Sequence, residues 1–208
     1  MEEPEPPLPT SRSQSDAAKA TRKAIFEAAF DEFAEKGRAG ASMRAIARRA
    51  GCPQSLLHHH FGTKDGLWQE VTGEIVGRWL RIGGKALDDP APSAAAVKEL
   101  LAALWAFWLE DLRATRLNAW RQLEGVNADE IAQSREGYER MARFFERAQA
   151  SGAVRDDVPV AILVLTVYGA ITQACLGAAA SDFEGLPFLR DRAAIVDQLY
   201  RVIAPPTP

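Results

Sequence analysis

The stretch Ser42-Met-Arg-Ala-Ile-Ala-Arg-Arg-Ala-Gly-Cys-Pro-Gln-Ser-Leu-Leu-His-His-His-Phe-Gly-Thr-Lys-Asp65 decides the fold. It reads as two short helices, Met43 to Ala50 and Pro53 to His60, joined at Gly51. Ser42 is placed to cap the first by accepting a hydrogen bond from a first-turn N–H. Ile46 and Ala50 lie four residues apart and share one face, while the small Ala47 lets a second helix cross closely. Gly51 falls where the turn calls for a positive φ, which glycine adopts at little cost. Pro53 suits the first turn of the next helix, where its missing N–H costs nothing. The pattern is a helix-turn-helix, a unit that lays its second helix in the major groove of DNA.

Upstream, the segment from Thr21 to Gly37 sets Ile25, Ala28, Ala29 and Phe33 at helical spacing, with Gly37 as the stop. That apolar stripe can pack on the two short helices. With His59, Phe61, Lys64 and Leu67 following in order, the chain from Thr21 to Leu67 resembles the N-terminal domain of the tetracycline-repressor (TetR) family of transcriptional regulators. The resemblance covers about a quarter of the chain. It implies an all-α protein of about nine helices, with a three-helix DNA-binding domain followed by a helical bundle for ligand binding and dimerisation. The expected division is a leader without fixed structure over 1–15, the helix-turn-helix domain over 16–63, and the effector-binding and dimerisation domain over 64–204.

Composition agrees with this division. The leader is acidic and rich in Pro and Ser, the composition of a disordered segment. The net charge of −3 hides a split, since residues 10–64 hold 10 Lys/Arg against 5 Asp/Glu and the rest is acidic. Positive charge is concentrated where phosphate would be met. Cys52 and Cys175 stand in unrelated contexts and suit neither a disulfide framework nor a zinc site, which points to the cytoplasm. No basic region followed by an apolar one opens the chain.

Beyond the head, Lys64 to Lys85 continues as a helix with Leu67, Val71, Ile75, Trp79 and Ile82 at helical spacing. Ser93 is a candidate cap for the next, apolar helix, which runs up to Asp111. Thr115 to Gly125 is a shorter helical segment. In the helix Ala128 to Ala150, Ile131, Tyr138, Met141, Phe144, Phe145 and Ala148 are expected to face inward. Val158 to Ser181 has no charged residue and would qualify by length as a membrane span. Its acidic flanks and recurrent small residues fit better a helix shared between the body and a second copy of the chain. A last helix runs from Pro187 to Ile203.

On the family pattern, Gln54, Ser55, Leu56, His58 and His59 occupy groove-facing positions beside Pro53. Gln54 can pair with the N6/N7 edge of adenine, and Leu56 can touch a thymine methyl. Ser42, Arg44, His58, His59, Thr63 and Lys64 are expected to meet phosphates, while Leu57 and Phe61 face inward. Ser55 and Leu56 stand where family members commonly have glycine and threonine, and His58 and His60 where they have tyrosines. The run His58-His59-His60 is no metal site, because neighbouring helical residues point about 100° apart.

In the body, the resemblance places Trp105, Trp108 and Trp120 around a ligand cavity, with Tyr138, Phe144, Tyr168 and Phe107. Gln173, Asn118, Gln122 and Glu124 are candidate polar anchors. A cage completed by Glu110 or Glu124 would suit a cation, and without them a flat neutral molecule fits as well. No Gly-rich phosphate loop, nucleophile elbow or metal-ligand spacing is found, so no enzyme and no cofactor is expected. The expected function is a cytoplasmic, sequence-specific repressor, a homodimer on an inverted-repeat operator, released by a small-molecule effector and not membrane-bound. The alternatives are ligand-independent DNA binding and, further off, a membrane-associated helical protein.

Overall fold

The computed structural model describes residues 11–82, 84–125, 128–179 and 191–206. Among them every regular element is helical: α1 (Ser11–Gly40), α2 (Met43–Ala50), α3 (Gln54–Phe61), α4 (Lys64–Ile82), α5 (Gly84–Leu87), α6 (Ala94–Glu110), α7 (Leu112–Glu124), α8 (Ala128–Ala150), α9 (Val160–Ala179) and α10 (Arg192–Ile203). The single turn α5 accounts for the one segment beyond the nine expected. The chain divides into two compact units, up to Val71 and from Thr72, so that the boundary falls within α4.

In the first unit, α1 buries Ile25, Ala28, Ala29 and Phe33. Phe33 meets Trp68 of α4 edge-on at 5.1 Å. The regular helix breaks at Gly37, whose φ of 68° is open to glycine. The Lys64 ammonium donates to the Ala39 and Ala41 carbonyls at 3.4 and 3.1 Å, satisfying the chain where α1 gives way to α2. Ser42 caps α2 as its sequence suggests, its hydroxyl accepting from the Ala45 N–H at 3.0 Å. Gly51 closes α2 in the left-handed region at φ 66°, with its N–H donating to Arg48. Arg22 lies over the Phe61 ring at 5.1 Å and pairs with Glu70.

Two local expectations are corrected here. Pro53 is the cap residue before α3 and not part of its first turn, because its ψ of 142° is extended. Residues 11–15, expected within an unstructured leader, form the first turns of α1. Residues 1–10 lie outside the described part of the chain.

In the second unit, α6 buries one broad face through Val97, Leu100, Leu101, Leu104, Trp105 and Trp108. Ser93 caps it by accepting from the Ala96 N–H. α8 turns Met141, Phe144, Phe145 and Ala148 inward. Ile131 does not follow them: it is 46% exposed, one of the first residues of α8. Long side chains of α8 hold the chain ends around it, with Arg147 donating to Asp89 and Leu87 carbonyls, and Gln149 to those of Arg155 and Val158. These bonds supply partners that buried backbone carbonyls require.

α9 has two faces. Leu163, Val164, Val167, Ile171 and Cys175 are buried, whereas Ile162 and Leu165 are 50% and 62% exposed. Among the described residues it is the one helix long and apolar enough to cross a membrane, with a mean hydropathy of 1.9. The beginning of the expected last helix, 187–190, lies outside the described residues.

Gly51→Ala should lower stability by about 1 kcal/mol, the cost of a left-handed conformation for a residue with a Cβ. A Cβ there would meet nothing within 4 Å, so strain is the whole effect. Gly51→Asn should recover much of the loss, because asparagine tolerates that region. Urea denaturation of the three proteins gives the comparison.

Candidate DNA interface and effector cavity

α3 is too short to be amphipathic by more than two turns, yet it divides sharply. Leu57 and Phe61 are buried, while Gln54, Ser55, His58 and His59 are exposed and Leu56 is half-buried. The exposed residues form one polar surface on the second helix of the helix-turn-helix. Within it, the His58 Nδ1 lies 2.8 Å from the Gly62 carbonyl, which can only accept. In the neutral ring that fixes the proton on Nδ1 and leaves Nε2 as an acceptor. Nε2 then receives the Gln54 amide at 3.3 Å. His58 therefore orients Gln54, and the amide keeps its carbonyl and a second N–H for another partner.

Other candidate phosphate contacts have structural duties. Ser42 and Thr63 accept from first-turn N–H groups of α2 and α4, so both hydroxyls mark helix N-termini. Such ends attract anions through free N–H groups and the helix dipole. Arg44 is exposed on α2. Lys64 differs, since its ammonium is engaged by the two carbonyls of the α1–α2 junction. Pro53 is exposed immediately before the polar face of α3.

The second unit holds a cavity of about 200 Å³. Trp108, Tyr138 and Tyr168, all expected at a ligand site, line it together. Sequence reasoning missed Trp79, Ile75 and Val76 of α4 and Arg121 of α7, which line it as well. Asn118 and Gln122, expected as polar anchors, do line it, and Arg121, three residues from Asn118 on the same side of α7, is the polar residue that was missed. Trp105 faces a separate apolar groove beside α10, and Gln173 a small space behind Asn118. Phe144 is fully buried against Phe145, and Trp120 is half-buried outside the cavity lining. Neither Glu110 nor Glu124 lies in the described lining.

The cavity has an aromatic side and a polar side. Trp79 meets Tyr138 at 5.8 Å and Tyr168 at 6.3 Å, Tyr138 meets Tyr168 at 5.4 Å, and Trp108 meets Tyr168 at 6.2 Å. These inclined and edge-on contacts are the favoured geometry of aromatic pairs. Along the polar side, Arg121 is 94% buried; it donates to Asn118 at 3.5 Å and to Ser134 at 3.4 Å. The Asn118 amide donates to the Tyr168 hydroxyl at 3.1 Å, and the Tyr138 hydroxyl bonds to the same oxygen. Burial raises the pKa of both tyrosines, so both hydroxyls remain protonated at neutral pH. Among the described residues, the indole N–H groups of Trp79 and Trp108 find no acceptor. Each such donor costs about 1–3 kcal/mol.

Residues 25–71 match the model of a family described as bacterial regulatory proteins, tetR family. The chain is 26% identical over 150 residues to the HTH-type transcriptional repressor NicS of Pseudomonas putida, a match covering 70% of this chain and 71% of NicS. It is 35% identical over 92 residues to the HTH-type transcriptional regulator RutR of Escherichia coli, which spans 44% of this chain and 43% of RutR. The solved structure of a TetR family transcription regulator from Marinobacter aquaeolei has a TM-score of 0.73 at 16% identity, covering 91% of this chain and 98% of that one. This last likeness is one of fold.

Burial also pushes the Cys175 thiol up to about 12. A thiol neutral in the folded chain and ionised in the unfolded one contributes stability that is present below about pH 8.5 and lost as pH rises through the folded value. Tyr138 and Tyr168 act in the same direction above about pH 10, the ordinary tyrosine value. The urea midpoint should therefore fall steadily from about pH 8.5 to about pH 12, and Cys175→Ala should flatten the first part of that fall.

Proposed function

The chain belongs to the tetR family of bacterial regulatory proteins, and from that premise we propose a homodimeric, cytoplasmic repressor that leaves its operator when a small molecule enters the aromatic cavity. The observation that carries this reading is the exposed row of Gln54, Ser55, His58 and His59 above the buried Leu57 and Phe61. Gln54, held by His58, offers its carbonyl and remaining N–H to the adenine edge, and Leu56 meets a thymine methyl. Ser42, Arg44, Thr63 and His59 take phosphate oxygens, which set the register of α3 in the groove. Lys64 contributes charge from its place at the α1–α2 junction.

The exposed apolar residues of α9, Ile162 and Leu165, and Val202 of α10 are the surface for a second copy. A dimer carries two heads, which suits an inverted repeat. α4 begins at Lys64 and supplies Ile75, Val76 and Trp79 to the cavity wall, which makes it the element that reports occupancy. A hundredfold release requires the ligand to favour the non-binding state by about 2.7 kcal/mol. The role is regulatory, with no catalytic step.

Selection of genomic fragments by the purified protein at two salt concentrations tests the reading. The expected result is an enriched inverted repeat that persists at the higher salt. Retention without enrichment, collapsing as salt rises, would mean attachment to phosphate alone. On the selected operator, Gln54→Ala should relax one position in each half-site, while His58→Ala should weaken binding about tenfold and relax that same position, by freeing the glutamine. Unchanged preference in both variants rules out the Gln54 assignment.

A further inference from the structure

Trp79 occupies a place that glycine at position 137 alone permits. A Cβ built on Gly137 of α8 would overlap the six-membered ring of Trp79 and stand 2.7 Å from its Cε3. Glycine inside a helix is otherwise disfavoured. The indole therefore lies directly against the α8 backbone, with the main cavity on one side. On the other is a void of about 10 Å³ bounded by Leu100, Leu104 and Met141. That void is at the lower limit for holding even one water. Trp79 is thus a partition, and Gly137 its seat.

We propose that the cavity takes a single planar aromatic ring bearing an oxygen acceptor on one edge, and that Gly137 sets this selectivity by holding Trp79 back as a wall. The inference rests on the reading of the cavity as the effector site. Size supports one ring, because a cavity of about 150 Å³ accommodates benzene and this one, at about 200 Å³, leaves room for a small substituent. Shape supports a planar ring, since Trp79, Trp108, Tyr138 and Tyr168 present edges and faces that a flat π-system can match. Polarity supports an acceptor. Arg121 is a donor only, and two rings of the wall carry indole N–H groups with no acceptor among the described residues. The described lining contains no carboxylate that would favour a cation.

Benzamide and cyclohexanecarboxamide are matched in size and polar group and differ in planarity. Titration calorimetry on the 208-residue chain should show benzamide binding at least tenfold tighter. Gly137→Ala should weaken benzamide at least tenfold by driving Trp79 into the cavity. Gly137→Ala combined with Trp79→Leu removes the clash, so the double variant should fold, bind benzamide and lose the discrimination between the two amides. If Gly137→Ala alone does not fold, the double variant decides the matter. Equal binding of the two amides by the unaltered protein, no binding of benzamide, or retained discrimination in the double variant would overturn the proposal. The same preparations are assayed for operator binding. A protein that holds its operator but takes neither amide refutes the ligand class and leaves the repressor reading standing, whereas a protein without affinity for DNA refutes that reading itself.

Discussion

A helix of eight residues does not persist alone in water, where about 12–15 are needed even for alanine-rich chains. Both α2 and α3 are eight residues long. They exist because α2 packs on α1 and α3 on α2, with Ile46 and Leu57 fully buried. The exposed face of α3 is therefore the last member of a packing series that begins with Ile25, Ala29 and Phe33. The capped start at Ser42 and the left-handed Gly51 set the angle at which that series turns. Only then can Gln54 and His58 stand exposed on one face of a firmly held α3.

The body solves a different problem. Aromatic rings fill much of its interior, and their polar edges must be satisfied or left to cost stability. The Tyr138 and Tyr168 hydroxyls, the Asn118 amide and the Arg121 guanidinium satisfy one another along a single side of the cavity. The indoles of Trp79 and Trp108 are left without acceptors among the described residues. A pocket wall that keeps unmet donors holds part of its stability in reserve for a ligand.

The head was legible from sequence because its determinants are local. Ser42, Gly51, Leu57 and Phe61 declare caps, turn and buried face within a few residues of each other. The pairing of Gln54 with His58 is local too, at a spacing of four, but depends on which His58 nitrogen the Gly62 carbonyl fixes. The cavity was only half legible. Trp108, Tyr138 and Tyr168 could be chosen as large aromatics on the right segments, but Trp105 and Phe144 answer the same description and turn elsewhere. Which way a ring turns depends on helix crossings that pattern does not encode. Trp79 shows this most plainly, since its place depends on an absent side chain 58 residues away, at Gly137. Ile131 fits the inner stripe of α8 by spacing, yet lies near the helix start and is left 46% exposed.

The boundary at Val71 and Thr72 falls within α4, which runs without a break from Lys64 to Ile82. A linker tolerates added or lost residues, but a helix does not, because each residue inserted rotates the remainder of the chain by about 100° and advances it about 1.5 Å. Chimeras that graft this head onto another body would thus have to preserve helical phase as well as sequence. Evolution faces the same rule: α4 can change its side chains freely at exposed positions, but its length is a quantised variable.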